Sequence, residues 1–180
     1  MDPQQQIIDW LQQDTQRMQA LRTARRLGLH DWCLGAGFVR NLAWDKRHEY
    51  RVATPLNDID VIHFDPHQHD AQHDRMLESR LRGWLMQPWS VKNQARMHLR
   101  NYRTPYLNSE DAISYWPEIE TAVGARLNAD DSITLIAPFG LQALFSDTLT
   151  FNTKSNNFTA LEQRVVQKQW LQRWPRLKLA

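Results

Sequence analysis

Between Asn57 and Asp65 the chain reads NDIDVIHFD, a run of strand-forming apolar residues interrupted by Asp58 and Asp60. In a strand, residues two apart point to the same face with their α-carbons about 6.6 Å apart, so the two carboxylates share one face. Like charges at that spacing are unfavourable unless a cation or a basic partner offsets them, and burial raises the cost. The fold therefore has to put this strand where such a partner reaches its carboxylate face. A pair of Mg²⁺ ions would serve, because hard oxygen ligands suit Mg²⁺ and two-metal phosphoryl-transfer sites hold their ions about 3.5–4 Å apart.

Upstream, DWCLGAGFVRNLAWDK places a short apolar strand, Trp32 to Leu34, before a glycine turn and a short helix from about Phe38 to Asp45. Gly35 and Gly37 permit close approach of backbone to a ligand. The N-terminus of the following helix offers free N–H groups and the positive end of its dipole to phosphate. Arg40 and Asn41, one turn later, either bring a guanidinium near the phosphates or support the loop that leads to Asp58. That loop, Arg47 to Asn57, is polar, contains Pro55, and is of the kind that borders a site.

The remaining pattern predicts an α/β chain in which a small mixed sheet is flanked by helices. Asp2 followed by Pro3 is a helix start, and Ile7, Ile8, Leu11, Met18 and Leu21 recur at helical spacing, so one long helix is expected from Pro3 to Leu27, ended by Gly28. A helix is expected over Asp70 to Leu85, a strand over WSVKNQARMHL, and a short helix after Asn108 or Ser109. TAVGARL and SITLIAPF read as strands, FGLQALFSDTL as a helix, and a final helix runs from about Thr159 to Trp174 before Pro175. With 180 residues the chain suffices for one sizeable core, so residues 1–180 are expected to form a single domain with helices at both termini.

Charge and cysteine usage exclude more than they assign. A net charge of +2 gives no reason by itself to expect nucleic acid, and Arg164, Lys168, Arg173, Arg176 and Lys178 near the end read as a solvated face. No apolar run approaches the roughly 18 residues of a membrane span, and the N-terminus lacks a basic region followed by an apolar stretch, so no membrane partner is expected. Cys33, the single cysteine, cannot form an internal disulfide, which fits a cytoplasmic protein. In HFDPHQHDAQHD, residues His63, His67, His69 and His73 with Asp65, Asp70 and Asp74 are metal-ligand types, but their spacing matches no zinc pattern and a polar helix start explains most of it.

Taken in order, strand, Gly-x-Gly turn, short helix with Arg-Asn, loop, then Asp-hydrophobic-Asp-hydrophobic resembles the nucleotidyltransferase superfamily that includes DNA polymerase beta, the CCA-adding enzymes and small antibiotic nucleotidyltransferases. GAGFVRNLAWD with NDIDVIHFD looks like the head of the poly(A) polymerase and CCA-adding branch. With WSVKNQARMH, TAVGARL and IAPFGLQALF, these blocks resemble a family of bacterial proteins described only as predicted nucleotidyltransferases. The resemblance implies a polymerase-beta-like core and transfer of a nucleoside monophosphate from a nucleoside triphosphate to a hydroxyl acceptor, be it small molecule, protein or RNA. It implies Asp58 and Asp60 as catalytic Mg²⁺ ligands and Gly35, Gly37, Arg40, Asn41 and Lys92 as nucleotide-binding residues. Two departures stand out: Ala36 sits between the glycines of the turn, and the neighbouring strand offers Lys92, Asn93 and Gln94 where a third carboxylate is usual. Asn93 and Glu120 are the candidates to complete the metal site. Without a third acid, a catalytically inactive binding or regulatory module is the alternative, and a divalent-metal protein built on the histidines is a second.

Overall fold

The computed structural model describes residues 2–101 and 103–180. Its main sheet is formed by β1 (Cys33–Gly35), β2 (Ile59–His63), β3 (Trp89–Asn93), β4 (Gly124–Leu127) and β5 (Ile133–Ile136) in the order β3-β2-β1-β4-β5. β2 and β3 run parallel and the other neighbours antiparallel, so the sheet is mixed, as the pattern led one to expect.

Alternation along the strands divides the two faces. Leu34, Val61, Val91, Ala125 and Leu127 point to one face and join the main core. There they meet Ile7 and Leu11 of α1 (Pro3–Gln13), Leu21 of α2 (Thr15–Arg25), Phe38, Val39 and Leu42 of α3 (Gly37–Arg47), and Leu77 and Leu81 of α4 (Ala71–Trp84). α4 also closes the free edge of β3: Glu78 accepts from the Val91 amide at 2.9 Å and Arg82 donates to the Trp89 carbonyl at 3.2 Å. An edge strand whose backbone groups are satisfied by side chains is no longer a template for another chain.

Several elements are shorter than their apolar pattern suggests, each for a local reason. The expected helix from Pro3 to Leu27 is two helices, because Asp14 is extended and caps α2, accepting from the Arg17 amide at 2.9 Å while its other oxygen pairs with the Arg17 guanidinium at 2.7 Å. The strand expected over WSVKNQARMHL ends at Asn93 and continues as a 3₁₀ helix, Gln94–Asn101. α5 (Ser109–Ile113) is capped by Asn108 as expected, whereas FGLQALFSDTL yields only a 3₁₀ turn, Gln142–Phe145.

The final helix is likewise split, into α6 (Phe158–Gln167) and α7 (Trp170–Arg173), with Gln169 between them at φ 52°. That break turns Trp170 and Trp174 onto Trp44 of α3, with ring centroids 5.8 and 5.0 Å apart, to make a second core with Leu149, Leu161 and Val165. β6 (Thr148–Leu149) and β7 (Lys178–Leu179) pair in parallel beside it. Among the described residues no helix is long and apolar enough to cross a membrane.

Candidate functional site

The second face of the sheet carries Asp60 and Ile62 of β2, opposite Gly35 and Cys33 of β1, with Ser90 and Lys92 beside them on β3. Gly35 in turn pairs with Gly124, so a strip lacking side chains runs from Asp60 across two strands. Trp116 lies over the strip: a Cβ on Gly35 would stand 3.2 Å from its ring and 3.2 Å from Ile62. Gly35 therefore makes room for an indole, a different use from the approach to ligand expected of it. A Cβ on Gly124 would come 2.5 Å from the Cys33 sulfur, so that thiol fills the space the glycine leaves. Burial pushes the Cys33 thiol up to about 12, which makes it a packing group and not a nucleophile.

Between β1 and α3 the backbone turns at Ala36, whose φ of 55° and ψ of −124° lie in a region that glycine adopts without penalty and alanine does not. The Ala36 amide is tied to the Val123 carbonyl at 3.0 Å, and the turn delivers the unpaired N–H groups at the start of α3 next to Asp58 and Asp60. Gly37 is tight for another reason, since a Cβ there would meet the Arg40 guanidinium and the Asn41 amide at 3.3 Å.

Arg40 is 4% exposed and donates to Thr121 Oγ1 at 2.7 Å and to Asn41 Oδ1 at 3.0 Å. Its guanidinium sits 4.8 Å from the Trp44 ring and 4.5 Å from Trp170. Burial lowers its pKa to about 10, which leaves it charged at neutral pH. Arg40 is thus a fixed positive charge in the wall, with much of its donor capacity spent on the protein.

The other cations of the site come from a stretch that the sequence pattern leaves on a solvated face. Arg164 and Lys168, one turn apart, and Arg173 of α7 border the same cleft as Gly37, Asp58 and Asp60, a space of about 180 Å³. Their i, i+4 spacing was the available sign that they act together. Arg164 is aimed by Glu118, a carboxylate with 0% exposure that accepts from its Nε at 2.8 Å. Asp60 is pushed up to about 6, first by burial and then by the Asp58 charge, against the pull of Lys168, Arg40 and Arg164. A second, wider space of about 360 Å³ opens on the other side of Asp60, toward β3, and Lys92 belongs to it rather than to the turn.

Two expected ligands are not brought to the carboxylates. Asn93 stands on the opposite face of β3 from Lys92, 1% exposed, accepting from the Asp65 and Ala95 amides and donating to the Asp65 and Gln68 carbonyls. Glu120 is equally buried and its carboxylate is taken up by Thr148 Oγ1 at 3.0 Å, Thr150 Oγ1 at 2.7 Å and the Thr150 amide at 2.9 Å. Both residues fasten loops. Nor does the histidine run gather: His63 is buried against Asp74 at 2.9 Å, and among the described residues no three or more His, Cys, Asp or Glu side chains are grouped to hold a metal ion.

A family model described as Nucleotidyltransferase matches residues 22–179. One solved structure, an NMR structure that reveals a CCA-adding enzyme head domain, is 31% identical, covers 98% of this chain and 95% of its own, and superposes with a TM-score of 0.84. A second, a tRNA-processing enzyme complex, is 14% identical with a TM-score of 0.55 over 89% of this chain and 43% of its own, which is a likeness of fold alone. No curated protein matches.

Proposed function

Because the chain belongs to the nucleotidyltransferase family, whose model spans residues 22–179, we propose that it transfers a nucleoside monophosphate from a nucleoside triphosphate to a hydroxyl acceptor. The observation that carries this reading is the placement of Asp58 and Asp60 in a cleft that the start of α3 and Arg164, Lys168 and Arg173 also line. Anionic phosphate suits the cations and the helix N-terminus, while the carboxylates suit a divalent ion that travels with it. Residues 1–180 act as one unit in this proposal, since the C-terminal helices supply the cations.

The donor set fits Mg²⁺ in a particular way. Two carboxylates held against mutual repulsion, with no third beside them among the described residues, match an ion that keeps several waters and completes its shell with substrate phosphate oxygens. When bound, it would supply charge neutralisation at the phosphate and acidify the attacking hydroxyl. Lys168 and Arg173 hold the outer phosphates and neutralise the departing pyrophosphate. Arg164, fixed by Glu118 and bordering both spaces, faces the phosphoryl group being transferred. The acceptor oxygen bonds to the α-phosphorus as the bond to pyrophosphate breaks, and the hydroxyl proton passes to solvent.

The test is calorimetric titration of each nucleoside triphosphate with Mg²⁺ into the wild type and into Asp58→Asn, Asp60→Asn, with pyrophosphate release followed in the same samples. Wild-type binding that the double variant loses supports the site, and pyrophosphate release makes it catalytic. The second reading, a binding module, is favoured by the absence of a carboxylate at Ser90 and Lys92, the β3 positions that share a face with Asp60. It is the outcome if triphosphate binds and no pyrophosphate appears with any acceptor.

A further inference from the structure

We propose that the wider space on the β3 side of Asp60 is the acceptor pocket, and that its occupant is a small hydroxyl compound carrying both a flat ring and an anionic group. The inference rests on the nucleotidyl-transfer reading and adds the class of its second substrate.

The location follows from the direction of the reaction. In-line displacement puts the incoming oxygen and the departing pyrophosphate on opposite sides of the phosphorus. With pyrophosphate among Lys168, Arg173 and the start of α3, the oxygen arrives from the far side of Asp60. That side is the 360 Å³ space, which among the described residues shares Ala36, Asp60 and Arg164 with the basic cleft. Its volume lies in the range of pockets that enclose small ligands.

The lining describes the ligand. Trp116 is seated on Gly35 and Ile62 by its ring edge, is partly exposed, and among the described residues has no other ring stacked on it. Such a rigid indole favours a planar partner. Lys92 and Arg100 supply positive charge, and Asp60 is the only carboxylate among the described lining residues. Lys92 is held only loosely, 4.0 Å from Glu78, and Arg100 is exposed, so both can turn to an anion. Gln94 and Asn101 add amides that can bond hydroxyls and ring heteroatoms. A cationic acceptor would face Lys92, Arg100 and Arg164 together. A polynucleotide would call for a basic track along the surface, whereas these cations border one open pocket on a chain of net charge +2.

Nucleoside 5′-monophosphates serve as the probe, since they combine ring, hydroxyls and phosphate. They are titrated by calorimetry into the full chain with Mg²⁺, alone and with a non-hydrolysable triphosphate, for wild type, Lys92→Gln, Trp116→Leu and Lys168→Gln. A nucleoside and a single-stranded oligoribonucleotide are titrated in parallel, and circular dichroism confirms that each variant is folded. The expected result is monophosphate binding additive with the triphosphate, weakened at least about tenfold by Lys92→Gln and by Trp116→Leu, with triphosphate affinity unchanged. Lys168→Gln is expected to do the reverse. Loss of triphosphate affinity in Trp116→Leu would assign the space to the donor base and overturn the proposal, as would failure of every monophosphate to bind. So would tighter binding of the oligoribonucleotide with a steep salt dependence. Absence of triphosphate binding to wild type strikes the nucleotidyl-transfer reading instead, and it is read from a separate titration.

Discussion

At the scale of single residues, the site is shaped as much by missing atoms as by charged ones. The contact of Gly124 with Cys33 makes that measurable, because a methyl group 2.5 Å from a buried sulfur forces one strand to move. Gly124→Ala is expected to cost about 1–3 kcal/mol in urea unfolding, the usual penalty of overpacking. Cys33→Ala in the same chain should recover part of it, a coupling that separate sites would not show. None of this was legible beforehand. The sequence pattern singled out Gly35 and Gly37 by their spacing, but the reason for Gly35 is Trp116, more than 80 positions along the chain, and spacing carries no information about such a partner. Asp60 was legible because an acid inside an apolar strand conflicts with its burial, and conflict is visible locally; Asp58, expected on the same strand face, lies just before β2 and is exposed.

Elements show the same division between local and distant causes. The order of strands and helices up to α5 follows from periodicity and caps: Asp2, Asp70 and Asn108 each begin a helix by accepting from its first free amides. The breaks at Asp14 and Gln169 and the two-residue strands β6 and β7 were not legible, since an apolar stripe continues through the former and the latter exist only as partners of each other. The loop that ends at Asp58 is held from a distance as well. Asp45, on α3, accepts from the Thr54 amide at 2.7 Å, from Thr54 Oγ1 at 2.6 Å and from the Trp174 indole at 2.8 Å, so one carboxylate ties the loop and the C-terminus to the same helix. Asp45→Ala leaves a buried indole N–H without a partner, and a loss of about 2–4 kcal/mol is expected from three charge-assisted bonds and that orphan. Hydrogen exchange should localise the loosening to residues 51–58 and the final turn, with weaker triphosphate binding as its consequence. Loosening confined to one of the two segments would show that Asp45 does not couple them.

Over the whole molecule, stability and site chemistry rest on different acids. Asp74 is buried between the sheet and α4, where burial opposes its charge but bonds from His63, the Asn93 amide and Arg96 outweigh it and hold the carboxyl below its ordinary 3.8. A carboxyl depressed on folding contributes stability that is fully present above its unfolded pKa and is lost as pH falls through the folded one. Unfolding free energy is therefore expected to fall as pH drops below about 3.8, and Asp74→Asn, though less stable at neutral pH, should show a shallower fall. An equal slope in both proteins would assign the acid sensitivity elsewhere. The sheet face that carries the core and the face that carries Asp60 can in this way be probed separately by pH and by nucleotide.

The stack of Arg40, Trp170 and Arg164, with guanidinium carbons 4.5 and 5.5 Å from one indole, gives the basic cleft a built-in optical reporter. Indole emission follows the electric field across the ring, so an anion settling beside those guanidinium groups changes the colour of light that Trp170 emits, a signal separated from the other seven tryptophans as the difference between wild type and Trp170→Phe.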